Sequence, residues 1–303
     1  MSARLIDGQA IAAAIRDDVR GRAEALRAAH GYTPGLATVL VGDNPASATY
    51  VRMKQKACAG LGLRSVPHVL PADARQPEVQ RLVEALNADP SIDGILVQLP
   101  LPGHLDEESI LSAIDLEKDV DGFHPINIGR LAMRNRTPLF IPCTPFGILR
   151  LLEETGVTLR GADAVVVGRS NIVGLPAAMV LQKADATVTL CHRHTRHLAR
   201  HLRHADIVVV AVGQPELVTG DMLKPGAVVI DVGINRKPDA SRPNGYRIVG
   251  DVDFESARAV AGAITPVPGG VGPMTIAMLM HNTLRAAERH AERQRLATLL
   301  PAT

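Results

Sequence analysis

Apolar residues recur at helical spacing in two stretches of the first half of the chain. Ile11, Ile15 and Val19 follow Asp7, a residue suited to cap a helix, and Val79, Leu82, Val83 and Leu86 follow Pro77. Both stretches read as amphipathic helices. Between and after them come short apolar runs, LATVLVG at 36–42 and DGILVQLP at 93–100, too short for typical helices and bounded by turn residues. These read as buried strands. Strand alternating with helix predicts a parallel sheet with right-handed crossovers.

The Pro-rich stretch TPLFIPCTPFG at 137–147 interrupts this pattern and then starts a helix, with Thr144 as cap and Pro145 at the first helical position. A domain change is expected there. From about residue 164 the alternation is denser, with ADAVVVG, ATVTLC, ADIVVVAVG and GAVVIDVG separated by short polar or amphipathic segments, the pattern of a doubly wound sheet. TPVPGGVGPMT at 265–275 admits no regular structure until after Pro273, so it reads as an ordered loop feeding a last helix from about 274. The expected fold is α/β in two domains, an N-terminal three-layer α/β domain and a C-terminal Rossmann-type doubly wound domain. The first spans 1–140 and is completed by the helix at 274–303, which packs back on it; the second spans 141–273. The Arg-rich tail after Leu284 reads as a solvated helix end.

The length of 303 residues fits two domains at about 150 residues each. Hydrophobic residues at 46% and charged ones at 21% are ordinary for a globular chain, so disorder is not expected. Aromatic residues make up 2% and Trp is absent, so the cores must be aliphatic, and few rings are available to stack on bases. The formal charge of +2 implies no polyanionic partner, and a nucleic-acid role is not expected. Cys58, Cys143 and Cys191 are odd in number and widely spaced, which indicates neither disulfides nor a zinc knuckle. A reducing cytoplasm and no metal are the expectation. The first 20 residues lack the apolar centre of a signal peptide, and no run approaches the roughly 18 apolar residues of a membrane span.

VVVGRSNIVGLP runs from a strand pattern straight into a helix pattern, the context of a nucleotide-binding turn. The strict G-x-G-x-x-G spacing is absent, because Ser170 stands where the second glycine would be and Gly174 falls one place late. An ordinary tight turn at Gly168 explains the string equally well. The end of the next strand tips the balance. An NAD enzyme offers an acid there to the ribose hydroxyls, whereas this chain reads Cys191, His192, Arg193, and Asp185 lies before the strand. Arg169 and Arg193 make the site cationic where a 2′-phosphate would lie, so NADP is expected rather than NAD.

Tyr50 and Lys54 in TYVRMKQKA are four residues apart and share a helix face, so a phenol and an amine can converge on one ligand. Gln98 ends the strand GILVQ, at the edge where open parallel sheets bind ligands. Asp121 stands in KDVDGFHP beside Asp119, Gly122 and Pro125, where an Asx-type turn is as good an explanation as a ligand contact. His124 reads as a surface or capping histidine. Each is indecisive alone.

The strings YVRMKQKA, DGILVQLPLPGH, KDVDGFHP, PCTPFG, GRSNIVGLP, DVGIN, GDVDF and TPVPGGVGPMT, in this order along nearly the whole chain, resemble the bifunctional methylenetetrahydrofolate dehydrogenase/cyclohydrolase family. The resemblance implies two α/β domains flanking a cleft, NADP on the second domain, tetrahydrofolate derivatives in the cleft and a homodimer. It implies that Tyr50, Lys54, Gln98 and Asp121 are the folate-site residues, and these are the expected catalytic set. Substrate contacts are also expected from Leu99, Pro100, Pro268, Gly269 and Gly270. Cofactor contacts are expected from Gly168, Arg169, Ser170, Arg193, Thr195 and Ile234. The activities implied are NADP-dependent oxidation of 5,10-methylenetetrahydrofolate and hydrolysis of the methenyl product. In the second step a cationic substrate disfavours a neighbouring ammonium, which makes Lys54 the expected base. Two other classes stay open on the residues alone: a shikimate-type or amino-acid dehydrogenase with a cleft lysine, which would ignore folate, and a dinucleotide-sensing regulator, which would bind NADP without turnover.

Overall fold

The computed structural model describes residues 2–243 and 245–299. In chain order its elements are β1 (Arg4–Leu5), α1 (Gly8–His30), β2 (Gly35–Val41), α2 (Pro45–Gly60), β3 (Arg64–Leu70), α3 (Gln76–Ala88), β4 (Gly94–Val97), α4 (Glu107–Ser112), α5 (Pro125–Ala132) and α6 (Cys143–Thr155). There follow β5 (Asp163–Val167), α7 (Gly174–Lys183), β6 (Thr187–Cys191), α8 (Leu198–Leu202), β7 (Ile207–Val210), β8 (Val228–Asp231), β9 (Asn235–Pro238), β10 (Tyr246–Val249), α9 (Phe254–Arg258), β11 (Ala263–Ile264) and α10 (Val271–Leu299). Two compact units result. One takes the residues up to Ala12, Leu131–Arg136 and Thr144–Thr275; the other takes Ala13–Arg130, Thr137–Cys143 and the chain from Ile276 onward.

The second of these units is built on a parallel three-stranded sheet in the order β3-β2-β4. All seven residues of β2 are buried, as a central strand covered on both faces requires. Ala37, Val39 and Val41 share one face with Ile95 and Val97, and pack with Val79, Val83 and Leu86 of α3 and Ile110 of α4. Each such buried valine, leucine or isoleucine contributes ~1.5–3 kcal/mol. Asp7 caps α1 as the sequence predicts, its Oδ1 accepting from the backbone of Gln9 and Ala10. The strand β3 does not follow from apolar patterning, because Arg64, Pro67 and His68 interrupt it. It occupies the sheet edge, where a proline's missing N–H leaves no ladder bond unmade.

The last helix begins at Val271 rather than at about 274. Pro273 falls in its first turn, where no backbone donor is needed, so the proline does not delay the helix. From Ile276 on, α10 packs within the unit of the three-stranded sheet. Arg22 forms a bidentate pair with Glu288, Arg289 another with Glu117, and His290 Nδ1 lies 3.1 Å from the buried carboxylate of Asp93.

The other unit carries a six-stranded sheet in the order β1-β11-β8-β7-β5-β6, parallel throughout. The VVV runs of β5 and β7 are buried, as a doubly wound sheet demands. The chain passes from β5 outward to β6 and then returns across β5 to β7, so the strand order reverses at the carboxyl ends of β5 and β7. Open α/β sheets bind ligands at such a reversal. Two elements are beyond the apolar pattern. The two-residue β1 joins this sheet through β11, pairing Arg4 with Ala263, and the polar hairpin β9–β10 pairs Asn235 with Val249.

Candidate functional site

The carboxyl ends of β5, β6 and β7 enclose a cavity of about 650 Å³ whose lining includes Gly168, Arg169, Ser170, Arg193 and Thr195. The turn after β5 requires its glycines. Gly168 has φ +120°, and a Cβ there would collide with the Ala211 carbonyl oxygen; one at Gly174 would collide with the Gly168 oxygen. The first turn of α7 therefore closes directly on the end of β5. Ser170, at the position of a missing glycine, holds the middle of the turn, since its Oγ accepts from Val173 N at 3.1 Å and Gly174 N at 3.4 Å. Its backbone oxygen accepts from Leu175 N. The late Gly174 is thus the packing glycine of a turn whose centre is braced by a serine.

At the end of β6, Thr195 Oγ1 accepts from His192 N and Thr195 N donates to His192 O, folding 192–195 into a tight turn beside Arg193. Among the described residues, no carboxylate lines this cavity. Asp185 precedes β6 and pairs with Arg160. Two guanidinium groups without an acid fit a ligand bearing phosphate. Ile234 is 55% exposed and is not part of the lining.

Two buried aspartates absent from the residues expected from the sequence shape the rim of this site. Asp231 accepts from the backbone of Gly233, Asp251 and Val252, and Asp251 Oδ2 accepts from Val212 N and Gly213 N. A Cβ at Gly250 or Gly233 would collide with these carboxyls. Burial pushes the Asp231 carboxyl up to about 6, against the pull of its three backbone donors. DVGIN and GDVDF are therefore two halves of one carboxylate clasp. Their recurring Asp and Gly residues are a weak signal of it, since the pairing exists only once β8 and β10 are placed.

In the other unit, Asn44 caps α2 through Ala46 N and Ser47 N and sets the direction of the helix carrying Tyr50 and Lys54. Lys54 is buried, and its Nζ donates to Gln98 Oε1 at 3.0 Å. Gln98 Nε2 donates to Leu99 O at 2.7 Å, which leaves the amide oxygen as the end that faces the lysine. The Leu99–Pro100 peptide that follows is cis. Tyr50, one turn before Lys54, is 41% exposed.

The two acids of KDVDG have separate duties. Asp119 forms the turn: Oδ1 accepts from Phe123 N, and Oδ2 accepts from His124 N and Asn127 Nδ2. Burial raises its carboxyl to about 7. Asp121 is half-buried and stands near Lys54 and the Cys143 thiol; desolvation pushes its carboxyl up, and the lysine charge and thiol draw it back. His124 Nδ1 accepts from Ile126 N, the capping role. Lys118 donates to the carbonyls of Leu86, Asn87 and Asp89 and so closes the end of α3.

Tyr50, Lys54, Gln98, Leu99, Pro100 and Asp121 thus belong to one unit, and Pro268, Gly269 and Gly270 to the other. There Gly269 has φ +110°, and a Cβ on Gly8 would collide with the Gly270 oxygen, so this loop lies on the start of α1. Among the described residues, no group of three or more His, Cys, Asp or Glu is placed to hold a metal ion.

Two family models match the chain. Residues 6–121 match the catalytic domain of tetrahydrofolate dehydrogenase/cyclohydrolase, and residues 142–291 match its NAD(P)-binding domain. The bifunctional protein FolD of Bordetella avium is 60% identical over 289 residues, covering 95% of this chain and 99% of that protein. That of Azoarcus sp. is 58% identical over 291 residues, covering 96% and 98%. Among solved structures, the Campylobacter jejuni FolD superposes with a TM-score of 0.89 at 47% identity, covering 95% of this chain and 99% of that one. The Trypanosoma brucei enzyme, solved with NADP and an inhibitor, superposes with a TM-score of 0.92 at 45% identity, covering 96% and 99%. A glycine turn at the strand-order reversal and a lysine–glutamine–aspartate cluster on a separate α/β unit therefore sit on a chain that belongs to the tetrahydrofolate dehydrogenase/cyclohydrolase family.

Proposed function

We propose that the chain oxidises 5,10-methylenetetrahydrofolate with NADP and hydrolyses the 5,10-methenyl product to 10-formyltetrahydrofolate. The observation that carries this reading is the buried Lys54 amine held at 3.0 Å by Gln98 with Asp121 nearby, on a chain that also bears a cationic dinucleotide turn. In the first step the methylene carbon loses a hydride and becomes an amidinium carbon. NADP, when bound, supplies the hydride acceptor. Gly168, Arg169, Ser170, Arg193 and Thr195 would hold it in the cavity and Ile234 would meet it from outside that lining, the arginines meeting its phosphates.

In the second step water adds to the amidinium carbon and gives up one proton, and the bond from that carbon to the ring nitrogen breaks as the nitrogen is protonated and the remaining hydroxyl proton leaves to solvent, so the cation becomes a neutral formyl group. Lys54 takes the proton from water and returns one to the nitrogen. Gln98 fixes the amine, Asp121 pairs with donors on the pterin ring, and the exposed ring of Tyr50 packs on the ligand. Leu99, Pro100, Pro268, Gly269 and Gly270 contribute further substrate contacts. On this reading residues 1–140 with the helix at 274–303 serve folate and residues 141–273 serve NADP.

The three buried, unpaired cysteines fit a reducing cytoplasm, and no helix among the described residues is long and apolar enough to cross a membrane. The open edge of β3, where Val69 is 68% exposed, fits pairing with a second copy of the chain in a homodimer. The functional test is to mix the protein with NADP and methylenetetrahydrofolate and follow nicotinamide reduction and the methenyl absorbance together. Reduction with a methenyl signal that rises and then decays is expected; NADP binding without reduction would refute the reading.

A further inference from the structure

Asn282 sits in mid-α10 among Leu279, Met280, Leu284 and Ala286, and it is fully buried. Its Nδ2 donates to Val120 O at 2.8 Å and Ile141 O at 3.2 Å, and lies 3.7 Å from Cys143 Sγ. Its Oδ1 is buried too, and it accepts no hydrogen bond from the described residues. Burying an acceptor without a partner is unfavourable, so what favours an amide here is its donor end, which serves the Val120 and Ile141 carbonyls.

What the amide holds is the segment that carries Asp121. Val120 is its immediate neighbour, and the Cys143 thiol donates to the same Val120 carbonyl at 3.4 Å while also reaching the Asp121 carboxylate. Gly122 has φ +82°, and a Cβ there would stand 2.6 Å from Pro142 N, so residues 119–123 and 141–143 lie backbone against backbone. Asn282 bridges both stretches to the helix.

We infer that Asn282 is a positioning residue: its amide clamps the Val120 and Ile141 carbonyls and thereby fixes the direction in which the Asp121 carboxylate meets the folate ring. The inference rests on Asp121 being a folate-site residue. Asn282→Leu keeps the volume and removes the donor. It should lower kcat/KM for methylenetetrahydrofolate about 10- to 100-fold, the scale of a misplaced contact, mainly through KM. Its NADP affinity should stay unchanged, its melting temperature should fall by a few degrees because the Ile141 carbonyl loses this donor, and the acid limb of the pH–rate profile should move. In an Asp121→Asn background the same substitution should add little, because its effect passes through Asp121. A lowered melting temperature with kcat/KM and pH profile intact would make Asn282 merely structural and overturn the inference. If Asn282→Leu fails to fold, the smaller Asn282→Ser is read in the same way. Full activity in Asp121→Asn alone removes the reading of Asp121 and the clamp with it; an impaired Asp121→Asn beside a fully active Asn282→Leu removes only the clamp.

Discussion

Asp119 and Asp121 stand two residues apart and differ in their work, one buried under three donors and the other near Lys54, whose charge acts on it. The Asp119 carboxyl keeps its proton up to about pH 7 in the folded chain, and an unfolded aspartate releases it near 3.9. Between those values the folded state binds more protons, so the contribution is full below about pH 4 and is lost as the pH rises to about 7. The stability of the protein relative to Asp119→Asn, read from denaturant midpoints, should therefore decline from about pH 4 to about pH 7. A difference independent of pH would contradict this. Arginine pairing with a phosphate gives the second residue-scale test. Arg193→Ala should raise KM for NADP by about tenfold and leave whatever turnover NAD supports almost untouched. Equal losses with both cofactors would remove Arg193 from the 2′-phosphate site.

At the scale of elements, the turn between β5 and α7 rests on two backbone contacts that a methyl group would abolish. Gly168→Ala forces a side chain onto a backbone at φ +120° and against the Ala211 oxygen, so NADP binding should be lost and the melting temperature should fall by several degrees. A variant with unchanged NADP affinity and stability would show that the turn is not rigid.

The same scale shows what the sequence makes legible. β2, β4, β5 and β7 are visible because strands covered on both faces must be continuous aliphatic runs. Lys54 and Tyr50 are visible as a pair because helical periodicity alone puts them on one face. β3 and β1 are not, since an edge strand need not be apolar and a two-residue strand carries no period. The Asp231–Asp251 clasp is hidden for another reason: it joins residues twenty positions apart through backbone donors, and side-chain patterns do not record backbone donors. Whether Asp119 or Asp121 makes the turn is likewise set by packing around Asn127 rather than by local sequence.

At the scale of the whole chain, the last helix returns to the unit of residues 13–130 and ties into its sheet through a polar cluster. Asp93, just before β4, has no exposed side-chain surface and accepts from Tyr32 OH at 2.6 Å and Gly35 N at 2.8 Å, with His290 of α10 at 3.1 Å. Burial and this carboxylate push the Tyr32 phenol far above its ordinary range. Asp93→Ala leaves several partners unpaired and should cost ~3 kcal/mol or more in chemical denaturation, whereas His290→Ala should cost ~1 kcal/mol. Equal small losses would mean that the cluster does not hold the helix.

The proposed hydrolysis turns on Lys54 as the group that moves protons. Its most direct test is the rate of methenyltetrahydrofolate hydrolysis by Lys54→Ala, measured alongside folate affinity. The predicted result is hydrolysis lost by about a hundredfold or more, with binding weakened far less. Hydrolysis at the original rate would contradict the account.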